Sequence, residues 1–132
     1  MTGSDLALLA GGGVCALVAL VHGVLMGRYI ITPIDAALAN TSTSGGGMNG
    51  GSRRLVTPLL HYSTFAWLTG GLAVMMTAVA LGREAQMAVG LLVGATCVYA
   101  ALANLMATRA RHPGGWLMAL AAALIAGGLL TG

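Results

Sequence analysis

The sequence has very little charge and no lysine at all. Of its 132 residues, 7% are charged and 58% are hydrophobic. Soluble domains carry about 25% charged residues, so this chain cannot cover itself with a hydrated surface. The composition therefore predicts a membrane protein. A net charge of +3, carried by scattered arginines, excludes the basic stripe that a nucleic-acid partner would require.

Cysteine and recognisable catalytic motifs are also scarce. The two cysteines, Cys15 and Cys97, both lie inside apolar runs, where we expect small buried hydrophobic side chains. Disulfide formation and metal binding are the alternatives for them. The chain has no HExxH, CxxC or nucleophile-elbow motif and no phosphate-binding loop with its lysine. We therefore predict no catalytic residue, and a non-enzymatic role is favoured.

Four long apolar segments are present in the chain. A membrane-spanning helix needs about 20 mostly apolar residues, and the segments 6–26, 56–81, 85–107 and 114–130 qualify or come close. Their length and their lack of strict alternation favour helices over a barrel. We predict an all-α four-helix transmembrane bundle forming one domain over residues 1–132. The small, polar and glycine-rich stretch 40–52 is predicted to be a flexible loop.

The arginines indicate an orientation. Only Arg83 lies on the side of the connection between the second and third spans. The other five lie on the opposite side: Arg28, Arg53, Arg54, Arg109 and Arg111. Positively charged residues collect on the cytoplasmic side, so we predict that both termini face the non-cytoplasmic side.

Two histidines are expected at a similar depth in the cytoplasmic half. His22 lies six residues before the arginine that follows span 1, and His61 lies seven residues after the arginine pair before span 2. At 1.5 Å per residue, both would sit about 9–10 Å deeper than those arginines. Polar groups inside a membrane tend to face the bundle, so we predict one shared site. Its candidate binding residues are His22, His61, Asn104, Tyr62 and Trp67.

Three interpretations of this site stay open. The histidines form hydrogen bonds that stabilise the bundle, or they bind a cofactor, or they carry protons or a substrate. As ligands, His22 and His61 would bind heme b iron or copper, and the face shared by Cys15, His22 and Met26 would suit copper. Histidine titrates near neutral pH and can relay protons, but no carboxylate lies within any predicted span.

Three segments carry a resemblance to a known kind of protein. They are "LVHGVLMGRYIITPI", "RRLVTPLLHYSTFAWLTGGL" and "RHPGGWLMALAAALIAGG". This pattern resembles small four-span bacterial inner-membrane proteins of uncharacterised function. The matching positions are His22, Gly27, Arg28, Pro33, His61, Trp67, His112 and Pro113. The resemblance implies a multi-pass protein of the bacterial inner membrane and implies no activity.

The leading functional prediction is a small non-enzymatic membrane protein. It would act as a subunit or a binding protein, with a polar, histidine-containing site in the cytoplasmic half of the bundle. Its expected partners are the lipid bilayer and either further copies of itself or a larger membrane complex. A heme b or copper redox protein using His22 and His61, and a small proton-linked transporter, are the alternatives.

Overall fold

The chain is an all-α bundle, as the sequence predicts. The computed structural model describes residues 1–41 and 50–132, with side chains described in 1–37 and 54–132. The described residues contain four helices that are long and apolar enough to cross a membrane. The first of them begins with α1 (Gly3–Met26) and continues into α2 (Thr32–Thr41). The other three are α3 (Gly50–Ala80), α4 (Arg83–Ala107) and α5 (Pro113–Thr131). This confirms the predicted fold class.

The first helix continues past the predicted end of span 1. A π-helical turn at Gly27–Ile31 joins α1 to α2, so the backbone is helical from residue 3 to residue 41. Pro33 lacks an N–H, and its ring would clash with the carbonyl of the residue four positions earlier. The wider π turn lies directly before it, and the Thr32 hydroxyl donates a 2.9 Å hydrogen bond to the Gly27 carbonyl across that turn.

The predicted flexible loop 40–52 falls mostly outside the described residues. Its residues 42–49 are not described, and the backbone of residues 40–41 and 50–52 is helical. α3 is therefore longer at its start than predicted span 2, and it contains Pro58 in its interior. A short turn at residues 81–82 separates α3 from α4.

The four spanning helices form a ring in the order α3, α1, α5, α4. α1 packs extensively on α3 and α5, and α4 packs extensively on α5, whereas α3 and α4 contact each other less. α1 and α3 approach most closely at Gly12 and Gly71. A Cβ atom on either glycine would lie 2.6 Å from the carbonyl oxygen of the other. Small residues at such a crossing let two membrane helices pack backbone to backbone.

The outer surface of the bundle is largely apolar. The core contains Leu8, Cys15, Val74, Cys97, Met118 and Ile125, all nearly inaccessible. Large apolar side chains on every spanning helix are nevertheless exposed, among them Leu17, Leu59, Leu92 and Leu130. This distribution suits a bundle surrounded by hydrocarbon rather than water.

Candidate functional site

His22 connects α1 to α3. Its Nε2 atom lies 3.3 Å from the Ser63 hydroxyl, at hydrogen-bond distance. Its ring also lies against Trp67, with ring centroids 4.9 Å apart and planes inclined at 60°. Ser63 and Trp67 are four residues apart and therefore share one face of α3. The imidazole is thus held between two side chains of the neighbouring helix.

The two helices can approach here because Gly23 has no side chain. A Cβ atom at Gly23 would lie 2.8 Å from the Thr64 methyl carbon. The Thr64 hydroxyl oxygen is buried and has no hydrogen-bond partner within the described part of the protein. The α1–α3 contact beside His22 therefore contains one polar atom whose hydrogen-bonding capacity is unused.

A groove of about 520 Å³ lies between α3 and α4, next to His22. It opens toward the outside of the bundle, since Tyr62, Leu92 and Tyr99 on its walls are exposed. The α3–α4 contact closes only nearer the other end, where a Cβ atom at Gly70 would lie 3.3 Å from Val93. The groove is lined by Tyr62, Ser63, Ala66, Trp67, Leu92, Ala95, Thr96, Tyr99, Ala100, Ala103 and Asn104.

The polar side chains of the groove are anchored to the backbone of their own helices. The Thr96 hydroxyl donates to the Val93 carbonyl at 2.7 Å, and the Asn104 amide donates to the Ala100 carbonyl at 2.9 Å. An asparagine amide has a second N–H and a carbonyl oxygen besides the group used in that bond. The wall is therefore mainly apolar and aromatic, with a few fixed polar groups, a composition typical of sites for small molecules.

The five sequence-predicted binding residues are distributed unevenly around this groove. Tyr62, Trp67 and Asn104 line it. His22 does not line it but contacts Ser63 and Trp67, which do. His61 is half-buried and is not part of the lining, although its imidazole and that of His112 lie within electrostatic range of His22.

Eight of the eleven lining residues were not among the predicted binding residues, and three of these eight carry a hydroxyl group. Ser63, Thr96 and Tyr99 all belong to the groove. The signal for two of them was present, because Thr96, Tyr99 and Ala103 recur at helical spacing and lie on one stripe of α4. Ser63 adjoins Tyr62 in sequence, but its contact is with His22 on another helix, which the sequence does not show.

The histidines have not been brought together with a third metal ligand of the usual kinds. In residues 1–41 and 50–132, no group of three or more His, Cys, Asp or Glu side chains is placed to hold a metal ion. For His22 to bind heme iron or copper through Nε2, that atom would have to leave Ser63. Binding through Nε2 would therefore cost His22 its contact with Ser63, and the heme and copper hypotheses for His22 and His61 stay predictions.

Comparisons with known proteins do not assign this chain to a family. No family model matches the chain, and neither a curated protein nor a solved structure matches it.

Proposed function

We propose that this chain is a non-enzymatic binding protein of the bacterial inner membrane, with both termini on the non-cytoplasmic side. Its ligand would be a small amphipathic molecule that enters the α3–α4 groove from the bilayer. The observation that carries this proposal is the groove itself, which is open at the side of the bundle and adjoins His22. Association with further copies or with a larger complex stays a prediction.

The size and lining of the groove support a small ligand. Pockets for small molecules typically measure about 300–1,000 Å³ and combine apolar walls with a few polar groups. The groove has a volume of about 520 Å³ and offers the rings of Tyr62, Trp67 and Tyr99 together with Ser63, Thr96 and Asn104. Aromatic rings favour a flat apolar ligand, while the amide and hydroxyls suit a polar substituent.

The order of residues along the groove predicts how the ligand lies. Asn104 and Ser63 are at the end nearer the arginines, and Leu92 and Ala95 are at the deeper end. The polar part of the ligand would therefore point toward the arginine-containing loops and its apolar part toward the middle of the membrane. Lipids of the same leaflet are oriented in the same way, so the ligand could enter sideways without turning over.

A partner helix fits the groove less well than a small molecule does. On α4 the lining runs from Leu92 to Asn104, which is about 18 Å at 1.5 Å per residue. The hydrocarbon core of a bilayer is about 30 Å thick, so a transmembrane helix would need a longer seam. The groove thus supports a ligand of limited length.

His22 would act as a positioning residue in this proposal. From α1, it contacts Trp67 through its ring and Ser63 through its Nε2 atom, and it is not part of the groove lining. Both contacts fix side chains that line the groove, and neither requires His22 to touch the ligand. We expect His22→Gln to weaken binding while Ser63 and Trp67 remain in the wall.

Tryptophan fluorescence tests the proposal. The chain has two tryptophans, so Trp116→Phe leaves Trp67, which lines the groove, as the only one. In lipid nanodiscs, we expect a brominated aromatic amphiphile to quench Trp67 with a saturable curve. Ala103→Phe, which fills the groove, should abolish saturation, and Ala88→Phe, exposed on the same helix outside the groove, should preserve it. Linear, non-saturable quenching in all three proteins would contradict the proposal.

A further inference from the structure

The two cysteines of the chain meet in the centre of the bundle. Cys15 is on α1 and Cys97 is on α4, and their sulfur atoms are 3.7 Å apart although 82 residues separate them in sequence. Both side chains are completely buried. α1 and α4 are opposite each other in the ring of helices, so the thiols meet across its axis. The His22 contact and the lining of the α3–α4 groove involve neither of them.

The hydrogen bonds of the pair define where its protons lie. The Cys15 thiol donates to the Trp67 carbonyl oxygen, with sulfur and oxygen 3.3 Å apart. The proton of Cys15 is therefore directed away from Cys97. The remaining thiol proton, on Cys97, is the one available for the contact between the two sulfur atoms. This second proton occupies the space that an ion between the sulfurs would take.

We propose that Cys15 and Cys97 form a binding site for one soft monovalent cation of the copper(I) type. Soft thiolate sulfur favours soft metal ions, copper(I) among them. On binding, the Cys97 thiol releases its proton to bulk water along the α3–α4 groove, and its thiolate forms one metal–sulfur bond. The Cys15 sulfur, with its proton retained, forms the second bond as a neutral donor. No electron is transferred. The site stays neutral, since one cation replaces one proton, and a dry interior strongly disfavours a net charge.

The spacing of the sulfur atoms suits a bridging ion better than a disulfide bond. A disulfide needs the sulfurs to approach to about 2.05 Å, which would require them to close by about 1.7 Å. Two metal–sulfur bonds of about 2.3 Å, the length of a zinc–sulfur bond, would span the observed 3.7 Å only with a bent angle near 107°, whereas an ion with two ligands prefers a straight arrangement. A straight sulfur–metal–sulfur arrangement would require the pair to open by about 0.9 Å.

The small number of ligands gives the site its selectivity. Structural zinc(II) is held by four ligands in a tetrahedral arrangement. Within the described ranges 1–41 and 50–132, the thiols are not part of any cluster of three or more metal-ligating His, Cys, Asp or Glu side chains. A cation that is satisfied by two soft ligands is therefore favoured over zinc(II), and zinc(II) becomes the natural control.

The α3–α4 groove provides a route to the pair. The Trp67 carbonyl accepts the Cys15 hydrogen bond, and Trp67 also lines the groove. On the facing helix, Ala100 lines the groove and lies three residues after Cys97. Cys97 is thus about one helical turn from a lining residue, and Cys15 contacts the backbone of another. An ion would reach the pair by displacing the Cys15–Trp67 hydrogen bond.

A competition titration of the purified protein tests this proposal. Under anaerobic conditions in mild detergent, the wild-type chain should take one copper(I) per molecule from a bicinchoninate complex. Cys15→Ala and Cys97→Ala should each bind at least about tenfold more weakly, since even losses around a metal site cost about 10–100-fold. Val93→Ala, a buried change one turn before Cys97 that keeps both thiols, should bind as the wild type does. Zinc(II) should not bind to the pair.

X-ray absorption at the copper edge gives a second measurement, which uses the wild-type protein and does not depend on whether a variant folds. In the wild-type protein we expect two sulfur neighbours and no nitrogen neighbour. Nitrogen neighbours would show that the histidines bind the ion, which would overturn the proposal. It would also be overturned by copper(I) retention in the doubly substituted Cys15→Ala/Cys97→Ala protein, or by purification of the chain with its two cysteines already joined as a disulfide.

Discussion

The two ends of the bundle are built in opposite ways. At the end that contains the turn between α3 and α4, which we call the hairpin end, polar side chains tie all four spanning helices together. At the other end, which carries Arg28, Arg54, Arg109 and Arg111 and which we call the arginine-rich end, polar side chains bond mostly within one helix. The hairpin end is closed, whereas α3 and α4 are separated by the groove in the half nearer the arginine-rich end.

The hydrogen bonds of the hairpin end show how it is closed. Arg83, at the start of α4, donates to the carbonyl oxygens of Gly128 and Leu129 at the end of α5. Gln86 donates to the Asp5 carboxylate of α1 at 3.3 Å and to the Thr77 carbonyl of α3 at 3.4 Å. A cation near the carboxyl end of a helix is also favoured by the helix dipole.

Under the proposed function, the two ends of this small bundle therefore have different roles, one in stability and the other in binding. The hairpin end holds the helices in register, which allows α3 and α4 to separate at the other end without the bundle coming apart. A site between loosely packed elements costs stability, and the stability must come from elsewhere in the molecule.

The largest effect is expected from Arg83→Met. The substitution leaves two α5 carbonyl oxygens without their charged donor, and hydrogen bonds to charged groups contribute about 1.5–3 kcal/mol each. We expect the free energy of unfolding, measured by detergent denaturation, to fall by about 3 kcal/mol. Arg111→Met, at an exposed position of the arginine-rich end, should change it by less than about 0.5 kcal/mol. Equal losses from the two variants would remove the contrast between the ends.

A pair of amide substitutions compares the ends more closely. Gln86→Leu should lower the free energy of unfolding by about 2 kcal/mol, because the buried amide bonds to two other helices. Asn104→Leu should lower it by about 1 kcal/mol or less, because that amide bonds to its own helix. Chemical denaturation of both variants under the same conditions checks the order, and a larger loss at Asn104 would reverse our interpretation.

Two threonines of α3 provide a test in which the sign of the effect changes. The Thr64 hydroxyl oxygen is buried without a partner, so Thr64→Val should raise the free energy of unfolding by about 1 kcal/mol. The Thr77 hydroxyl donates to the Val74 carbonyl at 2.8 Å, so Thr77→Val should lower it by about 1 kcal/mol. Thermal unfolding of the two proteins measures this. A destabilising Thr64→Val would show that the hydroxyl has a partner in the membrane.

The smallest effect is expected in the loop between α4 and α5. Arg109 and Ala110 adopt left-handed backbone conformations, with φ angles of 50° and 60°. A left-handed conformation costs a residue with a side chain about 1–2 kcal/mol, and glycine avoids this cost. Part of the resulting stabilisation is lost because glycine makes the unfolded chain more flexible. Ala110→Gly should therefore stabilise the protein by about 0.5 kcal/mol. Ala88→Gly, in the second turn of α4, should destabilise it by about 1 kcal/mol, which serves as the control.

Much of the fold could be predicted from hydropathy alone. Each span is a long apolar run, and the energetic cost of burying unpaired backbone groups in lipid leaves helices as the solution. The continuation of α1 through the π turn was harder to predict. Pro33 is a known helix breaker, and the sequence does not show that the backbone widens before it instead of ending.

The rotation of each helix about its own axis was the least predictable part of the site. Helical spacing puts His61, Thr64 and Leu68 on one face of α3, and the prediction of a shared site turned His61 inward. In the structure α1 contacts α3 through Ser63 and Thr64, so the contact face is shifted around the helix. A change of one residue turns a helix by 100°, and such a change depends on how all neighbouring side chains pack.

The proximity of Cys15 and Cys97 could have been predicted from the sequence. Cys15 lies 13 residues before Arg28, and Cys97 lies 12 residues before Arg109. Both thiols are therefore about 18–20 Å deeper than the arginines at the same end of the bundle. Equal depth on two spans was the criterion applied to the histidines, and applying it to the cysteines would have paired them too.

Photoaffinity labelling in lipid nanodiscs tests the central claim most directly. A small aromatic amphiphile carrying a diazirine would be activated and its attachment sites mapped by mass spectrometry. The account predicts attachment concentrated on the groove residues Tyr62, Ala66 and Ala103, and its suppression by an excess of the unlabelled amphiphile. Even labelling of all lipid-facing helices, or labelling concentrated at the hairpin end and unaffected by the competitor, would contradict it.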